Sequence, residues 1–377
     1  RKFDAVDTEP DAPAVLIYTS GTTGNPKGVQ LTHENFHFQC NTIVKSLVPY
    51  KDTDRAICVL PLYHVYGLSN GLIAALNFGG SAVLVGQYSP QKLMDAIDQN
   101  EATVMPAVPT MYFHLLSLAR ARKARIPKSL RYCVSGGAPL PLSVLKKFGE
   151  VYETNILEGY GLTETTSSVC ANGFGGVFKD GSIGPAADGV EMKVIDADGK
   201  DLPDGEEGEI VIRSKTVFTG YWNDRESTEE ALSPDGWFHS GDLGYRDEDG
   251  FYFITDRKKD IIITRGFNIS PREVEEVLMQ HPEVEEAALV AMKNERDGET
   301  VTAFIVGHEG TPPTVDALRE YCKLNLAEYK WPKDYKFVES LPKSATGKVL
   351  RNELRGEAED RRLITRDSFR DDSRDDG

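Results

Sequence analysis

The sequence predicts an α/β fold: a large domain on a mainly parallel sheet, carrying a small antiparallel β-subdomain, followed by a smaller C-terminal α+β domain. Three observations predict it. From Ala14 to about Thr163, short apolar runs alternate with amphipathic stretches; between residues 180 and 250, Asp-Gly pairs separate β-rich runs; after Arg257, helical and strand-like segments mix. The boundaries that follow are 1–256 for the large domain, with its β-rich part at about 176–256, then 257–353 for the small domain. Residues 354–377, ending Arg-Asp-Asp-Ser-Arg-Asp-Asp-Gly, read as a disordered, solvated tail.

In chain order, Ala14-Val-Leu-Ile17 reads as a buried strand, and a helix opens near Thr32. Ala56-Ile-Cys-Val-Leu60, Ala82-Val-Leu-Val85, Ala102-Thr-Val-Met105 and Leu130-Arg-Tyr-Cys-Val134 read as strands, with helices over 90–99, 110–122 and 141–152 between them. Ser135-Gly-Gly and Gly159-Tyr-Gly each follow a strand in this reading, and loops at the carboxyl ends of parallel strands are where ligands bind. Asp-Gly at 180, 188, 198, 204, 235 and 249 favours turns with positive φ, so Val190-Glu-Met-Lys-Val-Ile195 and Glu209-Ile-Val-Ile212 become hairpin strands. A helix over Pro271–Gln280 has Ser270 as N-cap, proline at its first position and Glu273 three residues after the cap.

The 377 residues suffice for a large core and a second domain. With 43 basic and 59 acidic residues the net charge is −16, which argues against generic binding to a nucleic-acid backbone. Any anionic ligand must be held by local donors. Cysteines at 40, 58, 133, 170 and 322 form no Cys-x-x-Cys pair; they suit core positions and a reducing, cytoplasmic setting. No apolar run reaches the roughly twenty residues of a membrane span, and the first residues show no signal-peptide pattern; peripheral membrane contact stays open.

The stretch richest in chemistry is Tyr18-Thr-Ser-Gly-Thr-Thr-Gly-Asn-Pro-Lys-Gly28. Glycine lets successive N–H groups turn toward one anion, while Ser20, Thr22, Thr23 and Lys27 add hydroxyl and ammonium donors. Taken alone it would equally suit a polar surface loop. It is not a Walker loop, because Pro26 stands where that motif has glycine and Lys27 is followed by Gly28. Glu158-Gly-Tyr-Gly-Leu-Thr-Glu164 half-matches a dinucleotide fingerprint, with Glu164 in place of the third glycine. His33-Glu-Asn-Phe-His37 satisfies the zinc-protease helix pattern, but Cys40 departs from its extended form and no third ligand follows at the required spacing.

The first of these stretches resembles the signature of the adenylate-forming, AMP-binding enzymes: acyl-CoA synthetases, peptide-synthetase adenylation domains and beetle luciferases. The family's other motifs follow in order as Pro61-Leu-Tyr-His-Val-Tyr-Gly67, Ser135-Gly-Gly-Ala-Pro139, Glu158 to Glu164, Gly208-Glu-Ile210, Ser240-Gly-Asp-Leu243, Asp256-Arg-Lys-Lys-Asp-Ile261, Gly266-Phe-Asn268 and Pro342-Lys-Ser-Ala-Thr-Gly-Lys348. The resemblance spans Ala14 to Arg351, and the wording of Asp-Arg-Lys-Lys-Asp and Gly-Phe-Asn is most similar to fatty acyl-CoA ligases. Such enzymes carry a substantial region before the phosphate loop. The sequence is therefore expected to lack part of the acyl-binding wall and of the supporting sheet.

The resemblance implies a nucleotide site made by Ser20, Gly21, Thr22, Thr23, Gly24 and Lys27 at the β/γ-phosphates, Thr163 at a phosphate oxygen, and Glu164 as the ligand of Mg²⁺. It also implies Tyr160 against adenine within Glu158-Gly159-Tyr160-Gly161, Gly137 and Ala138 across from it, Asp242 on the ribose hydroxyls and Arg257 nearby. His64 and Tyr66 would flank the acyl group, with general-base chemistry a further role for His64. Lys348 would serve adenylation, Gly266 and Phe267 the CoA step, and Lys259 the hinge between them. Ile263 departs from relatives that carry lysine there, so that contact does not transfer.

The implied reaction joins a fatty acid to ATP, giving acyl-AMP and pyrophosphate, then transfers the acyl group to CoA. An aryl acid, a carrier-protein thiol as acceptor, and a non-catalytic fragment that binds nucleotide or acyl-adenylate are the alternatives.

Overall fold

A computed structural model describes residues 6–19, 26–122, 127–264, 267–294, 298–308, 310, 312–344 and 347–356. The chain divides into two compact units, Arg1–Ile254 and Thr255–Gly377.

The first unit opens with strand β1 (Pro13–Thr19) antiparallel to β2 (Lys27–Thr32), Thr19 lying opposite Lys27. The expectation of a buried strand at Ala14–Ile17 is corrected, since only Ile17 is buried and Leu16 and Tyr18 are exposed. The reason is topological. β1 is the edge of a small three-stranded sheet, not a member of the parallel one, so one face alone reaches the core, with Ile17 buried and Val15 partly so.

Helix α1 (His33–Phe38) starts where Thr32 predicts: the Thr32 side chain accepts from the Asn35 N–H at 3.2 Å, and Asn35 Oδ1 accepts from the Thr32 N–H at 2.8 Å. The Asn35 amide donates to the carbonyls of Lys215 and Val217, anchoring the helix start. His33 and His37 are exposed, Glu34 pairs with Lys215, and no metal-holding cluster of three occurs among the described residues.

The principal sheet has six strands: β3 (Arg55–Cys58), β4 (Ser81–Leu84), β5 (Val104–Ala107), β6 (Tyr132–Ser135), β7 (Ile156–Leu162) and β8 (Ser167–Asn172). Their order is β4-β3-β5-β6-β7-β8, parallel through β7 and antiparallel at β8. β5 lies two residues later than its sequence estimate and runs through Pro106, all four of its residues being buried.

Side chains alternate between two cores. Ile57, Met105, Cys133 and Ile156 pack with α2 (Pro90–Asn100), α3 (Pro109–Arg122) and α4 (Leu142–Tyr152), while Ala56, Val104, Val134 and Leu157 join Ile43 and Leu47 in the other core. Phe148 knits the helical layer, stacked on Tyr152 at 4.2 Å and edge-on to Tyr112 at 5.1 Å.

The glycines of Gly159-Tyr-Gly do not follow a strand; they lie inside β7, and the chain then reverses into β8. A single 3-10 turn, Thr163–Thr165, and the antiparallel β8 follow them, in place of the α-helix that a dinucleotide fingerprint opens.

The β-rich part is a four-stranded antiparallel sheet of β9 (Glu191–Ile195), β10 (Gly208–Arg213), β12 (Phe238–Arg246) and β13 (Tyr252–Arg257), ordered β13-β12-β10-β9. Between them β11 (Gly220–Tyr221) joins β2. The glycine of each Asp-Gly pair between residues 180 and 250 has positive φ, from +76° at Gly189 to +87° at Gly236, as the hairpin reading requires.

The second unit holds β14 (Ile262–Thr264), β15 (Phe267–Ile269), β16 (Val284–Asn294), β17 (Gly298–Gly307) and β18 (Asp334–Phe337). One face packs on α5 (Pro271–Met279) and α6 (Val315–Asn325); the other buries Leu341 and Leu354. Ser270 caps α5, its Oγ accepting from the Glu273 N–H at 3.2 Å. All five cysteines are free and buried. Among the described residues no helix is long and apolar enough to cross a membrane.

Gly184 tests the backbone packing of the first unit. Its φ is +89°, and a Cβ there would lie 2.2 Å from the Ala171 carbonyl carbon. Gly184→Ala is expected to cost about 3 kcal/mol; Gly199→Ala, also at positive φ but with nothing near its Cβ, should cost about 1 kcal/mol. Urea unfolding of both variants checks the difference.

Candidate active site

The site is organised by the reversal between β7 and β8. A Cβ on Gly161 would sit 1.6 Å from the Ser167 carbonyl oxygen, so only glycine allows the two strands to close. The turn places Thr166 and Ser167 at φ +57° and +103°, held by Thr165 Oγ1, which accepts from the Leu162 N–H at 2.9 Å and lies 2.9 Å from the Ser167 carbonyl. Thr166 Oγ1 donates to the Thr216 carbonyl at 2.6 Å, and the Phe218 N–H donates to the Glu164 carbonyl at 2.8 Å. Thr163 is buried within this turn.

Beside the turn, the Tyr221 hydroxyl donates to Glu164 Oε1 at 2.9 Å. Burial, then the Glu164 charge, push the Tyr221 phenol well above its ordinary range, so it stays a proton donor. Lys27 Nζ lies 5.0 Å from the Tyr221 ring centroid, a cation–π distance. The lysine that closes the phosphate-loop motif and the glutamate of the second motif thus share one tyrosine. Ser20, Gly21, Thr22, Thr23 and Gly24 lie outside the described residues.

Tyr160, on β7, donates its hydroxyl to Asp242 Oδ2 at 2.6 Å, and Asp242, on β12, is only 2% exposed. The approach to that carboxylate is fixed by its own motif: the Asp242 N–H donates to Ser240 Oγ, Ser240 Oγ donates to the Ile210 carbonyl, and the Gly241 N–H donates to Glu209. Glu158 accepts the Leu140 N–H at 3.1 Å, which makes it the fastener of the loop carrying Gly137 and Ala138. Gly137 itself has φ +83°.

Tyr66 is buried, donates to the Val134 carbonyl at 2.7 Å, and lies against Gly136, where a Cβ would come within 3.2 Å of its ring. Half-buried His64 turns Nδ1 to the Tyr66 N–H at 3.3 Å. A cavity of about 20 Å³, room for about one water, is lined by Val44, Leu47, Leu157 and Gly159, with Asn70 and Ser168 hydrogen-bonded at 3.0 Å.

Arg257, Lys259, Phe267 and Lys348 belong to the second unit. The Arg257 N–H donates to Asp256 Oδ1; buried Asp256 also accepts from Ser270 Oγ at 2.6 Å and the Arg272 N–H, so it holds the start of α5. Lys259 is exposed on the turn before β14, and Ile263 is exposed too. Phe267 stacks on Tyr329 at 4.8 Å; Gly266 lies outside the described residues. Lys348 is exposed on a tight turn: its N–H donates to Ser344 Oγ, its carbonyl accepts the Ser344 N–H, and Gly347 has φ +79°.

Sequence reasoning missed Tyr221, Asn70 and Ser168. Their only signal was proximity to motifs, and the strand pairing of Tyr221 with Val29 is what carries it to Glu164. Mg²⁺ is content with one protein carboxylate when waters and phosphate oxygens supply the rest, and Glu164, oriented by Tyr221, is a carboxylate that could hold it.

Residues 1–222 match the family model described as AMP-binding enzyme, and residues 273–348 match the AMP-binding enzyme C-terminal domain. The chain is 38% identical to the long-chain-fatty-acid–CoA ligase of Bacillus subtilis, covering 93% of this chain and 62% of that protein. It is 39% identical to the sulfoacetate–CoA ligase of Cupriavidus necator, covering 92% of this chain and 67% of that protein. Among solved structures, o-succinylbenzoate coenzyme A synthetase of Bacillus subtilis, in complex with ATP and magnesium ion, superposes with a TM-score of 0.81 at 35% identity, covering 93% of this chain and 72% of the other.

Tyr160→Phe removes a charge-assisted hydrogen bond from the buried Asp242 carboxylate. A loss of about 2 kcal/mol is expected in chemical denaturation, with Asp242→Asn largely cancelling it in the double variant.

Proposed function

The chain belongs to the AMP-binding enzymes, and we propose that it activates a fatty acid as acyl-AMP and passes the acyl group to CoA. The observation that carries this reading is the convergence of Lys27 and Glu164 on Tyr221, with Tyr160 of β7 hydrogen-bonded to Asp242 of β12.

Adenylation brings a carboxylate to an α-phosphorus shielded by negative oxygens, so the site must gather positive charge and donors without closing off the line of attack. Ser20 to Gly24, Lys27 and Thr163 would hold the phosphates. Mg²⁺, held by Glu164 and the phosphate oxygens, would neutralise charge on the leaving pyrophosphate. Asp242 is shaped to accept from both ribose hydroxyls, being buried and already oriented by Tyr160, while Tyr160, Gly137, Ala138 and Arg257 would frame the rest of the nucleoside. Lys348 would stabilise the transition state of adenylation. Phe267, with Gly266, would serve thioester formation, where the CoA sulfur attacks the acyl carbonyl and AMP leaves. Lys259 would be the hinge between the two steps.

The likeness to a long-chain ligase supports an alkyl acid. A second reading, an acid with a polar or aromatic end, draws on the likeness to a sulfoacetate ligase.

Pyrophosphate exchange with a panel of alkyl, aryl and sulfonated acids separates them. Exchange is expected with fatty acids and requires Mg²⁺; exchange only with polar acids favours the second reading, and none with any carboxylate overturns enzymatic activity. Lys348→Ala should lower acyl-AMP formation by on the order of 10²-fold or more, while CoA transfer from supplied acyl-AMP changes little; equal loss in both steps contradicts the assignment.

A further inference from the structure

Lys348 is exposed and follows Gly347 at φ +79°, which is poor material for aiming a cation. What holds it lies three residues on. Arg351 makes a forked pair with Glu275 on α5, Nη1 to Oε1 and Nη2 to Oε2, the second at 3.1 Å. The same Nη1 donates to the Leu289 carbonyl of β16 at 3.0 Å, and Glu275 Oε1 also accepts the Leu289 N–H at 2.6 Å. Arg351 Nε stands 3.9 Å from Asp260, the neighbour of Lys259. The Glu275 residue is 9% exposed, and the Arg351 side chain is 21% exposed.

On the other flank, Lys343 pairs with Glu286 of β16, bridges to Val349 across the turn, and Leu350 donates to the Pro342 carbonyl at 2.8 Å. Both ends of the Lys348 turn are therefore pinned to one strand. Only the Arg351 end uses a planar, two-pronged contact, a geometry that fixes direction as well as position.

From this geometry we infer that Arg351 is a positioning residue for adenylation, orienting the Lys348 turn through its fork onto Glu275 and Leu289. This inference rests on the adenylation reading of Lys348 given above. A buried pair of this kind contributes little net stability compared with apolar replacements, yet losing one partner leaves an uncompensated charge. Its value lies in register: an error of about 1 Å in a reacting group costs on the order of 10²-fold.

The test measures both half-reactions in the full chain for Arg351→Met, Arg351→Lys, the double variant Glu275→Gln/Arg351→Met, and Lys348→Ala, together with thermal melting. For Arg351→Met, kcat for acyl-AMP formation should fall by on the order of 10²-fold, with KM for ATP and CoA transfer from supplied acyl-AMP within about threefold of the parent. Lysine, which cannot fork, should rescue only part of it. The double variant removes both charges; it should regain melting temperature but not adenylation. Recovery of both together, or parallel loss of the two half-reactions, would overturn the inference in favour of a purely structural pair. If Lys348→Ala abolishes adenylation and Arg351→Met does not, positioning alone is refuted; if Lys348→Ala adenylates normally, the reading beneath it falls as well.

Discussion

The close crossing of β7 and β8 is the constraint on which the first unit's site depends. Gly161 lets the Ser167 backbone approach to a distance no side chain permits, and the resulting turn needs two non-glycine residues at positive φ. Those costs are met by a dense local network: Thr165 closes the turn on itself, Thr166 reaches Thr216, and the Glu164 backbone receives Phe218. The same crossing changes the sheet from parallel to antiparallel at its last pair. Thr163 and Glu164 are thereby delivered at the end of a strand whose middle, Tyr160, is tied to another sheet through Asp242.

The site residues are held by fixed neighbours, some inside the motifs and one, Tyr221, outside them. Tyr221 orients Glu164, Ser240 and Glu209 shape the Asp242 turn, and Glu158 fastens the Gly137 loop through Leu140. In each case a fixed hydrogen bond restrains a charged or strained element.

Most of the architecture was legible because its signals are local. Short apolar runs located the core strands, Asp-Gly pairs between 180 and 250 located turns whose glycines have positive φ, and Ser270-Pro271 marked the start of α5. The failures share one cause. Ala14–Ile17 is as apolar as a central strand, yet its burial depends on which sheet it joins. The two glycines of β7 look like a loop because their reason for being glycine, the approach of Ser167, comes from another strand. Tyr221, Asn70 and Ser168 are ordinary residues until pairing and packing bring them to Glu164 or to the cavity beside Gly159. Long-range contacts carry no local pattern, and these positions depend on them.

The anchoring of the Lys348 turn bears on how such chains recombine. Its two fasteners, Glu275 and Glu286, stand more than fifty residues upstream of Lys343 and Arg351, on elements that form the core of the second unit. A chimera joined between α5 and the final turn would pair each cation with whatever acid the other parent happens to offer. One joined near Ile254 inherits both pairs intact, so the second unit exchanges between relatives as a whole and resists exchange in part.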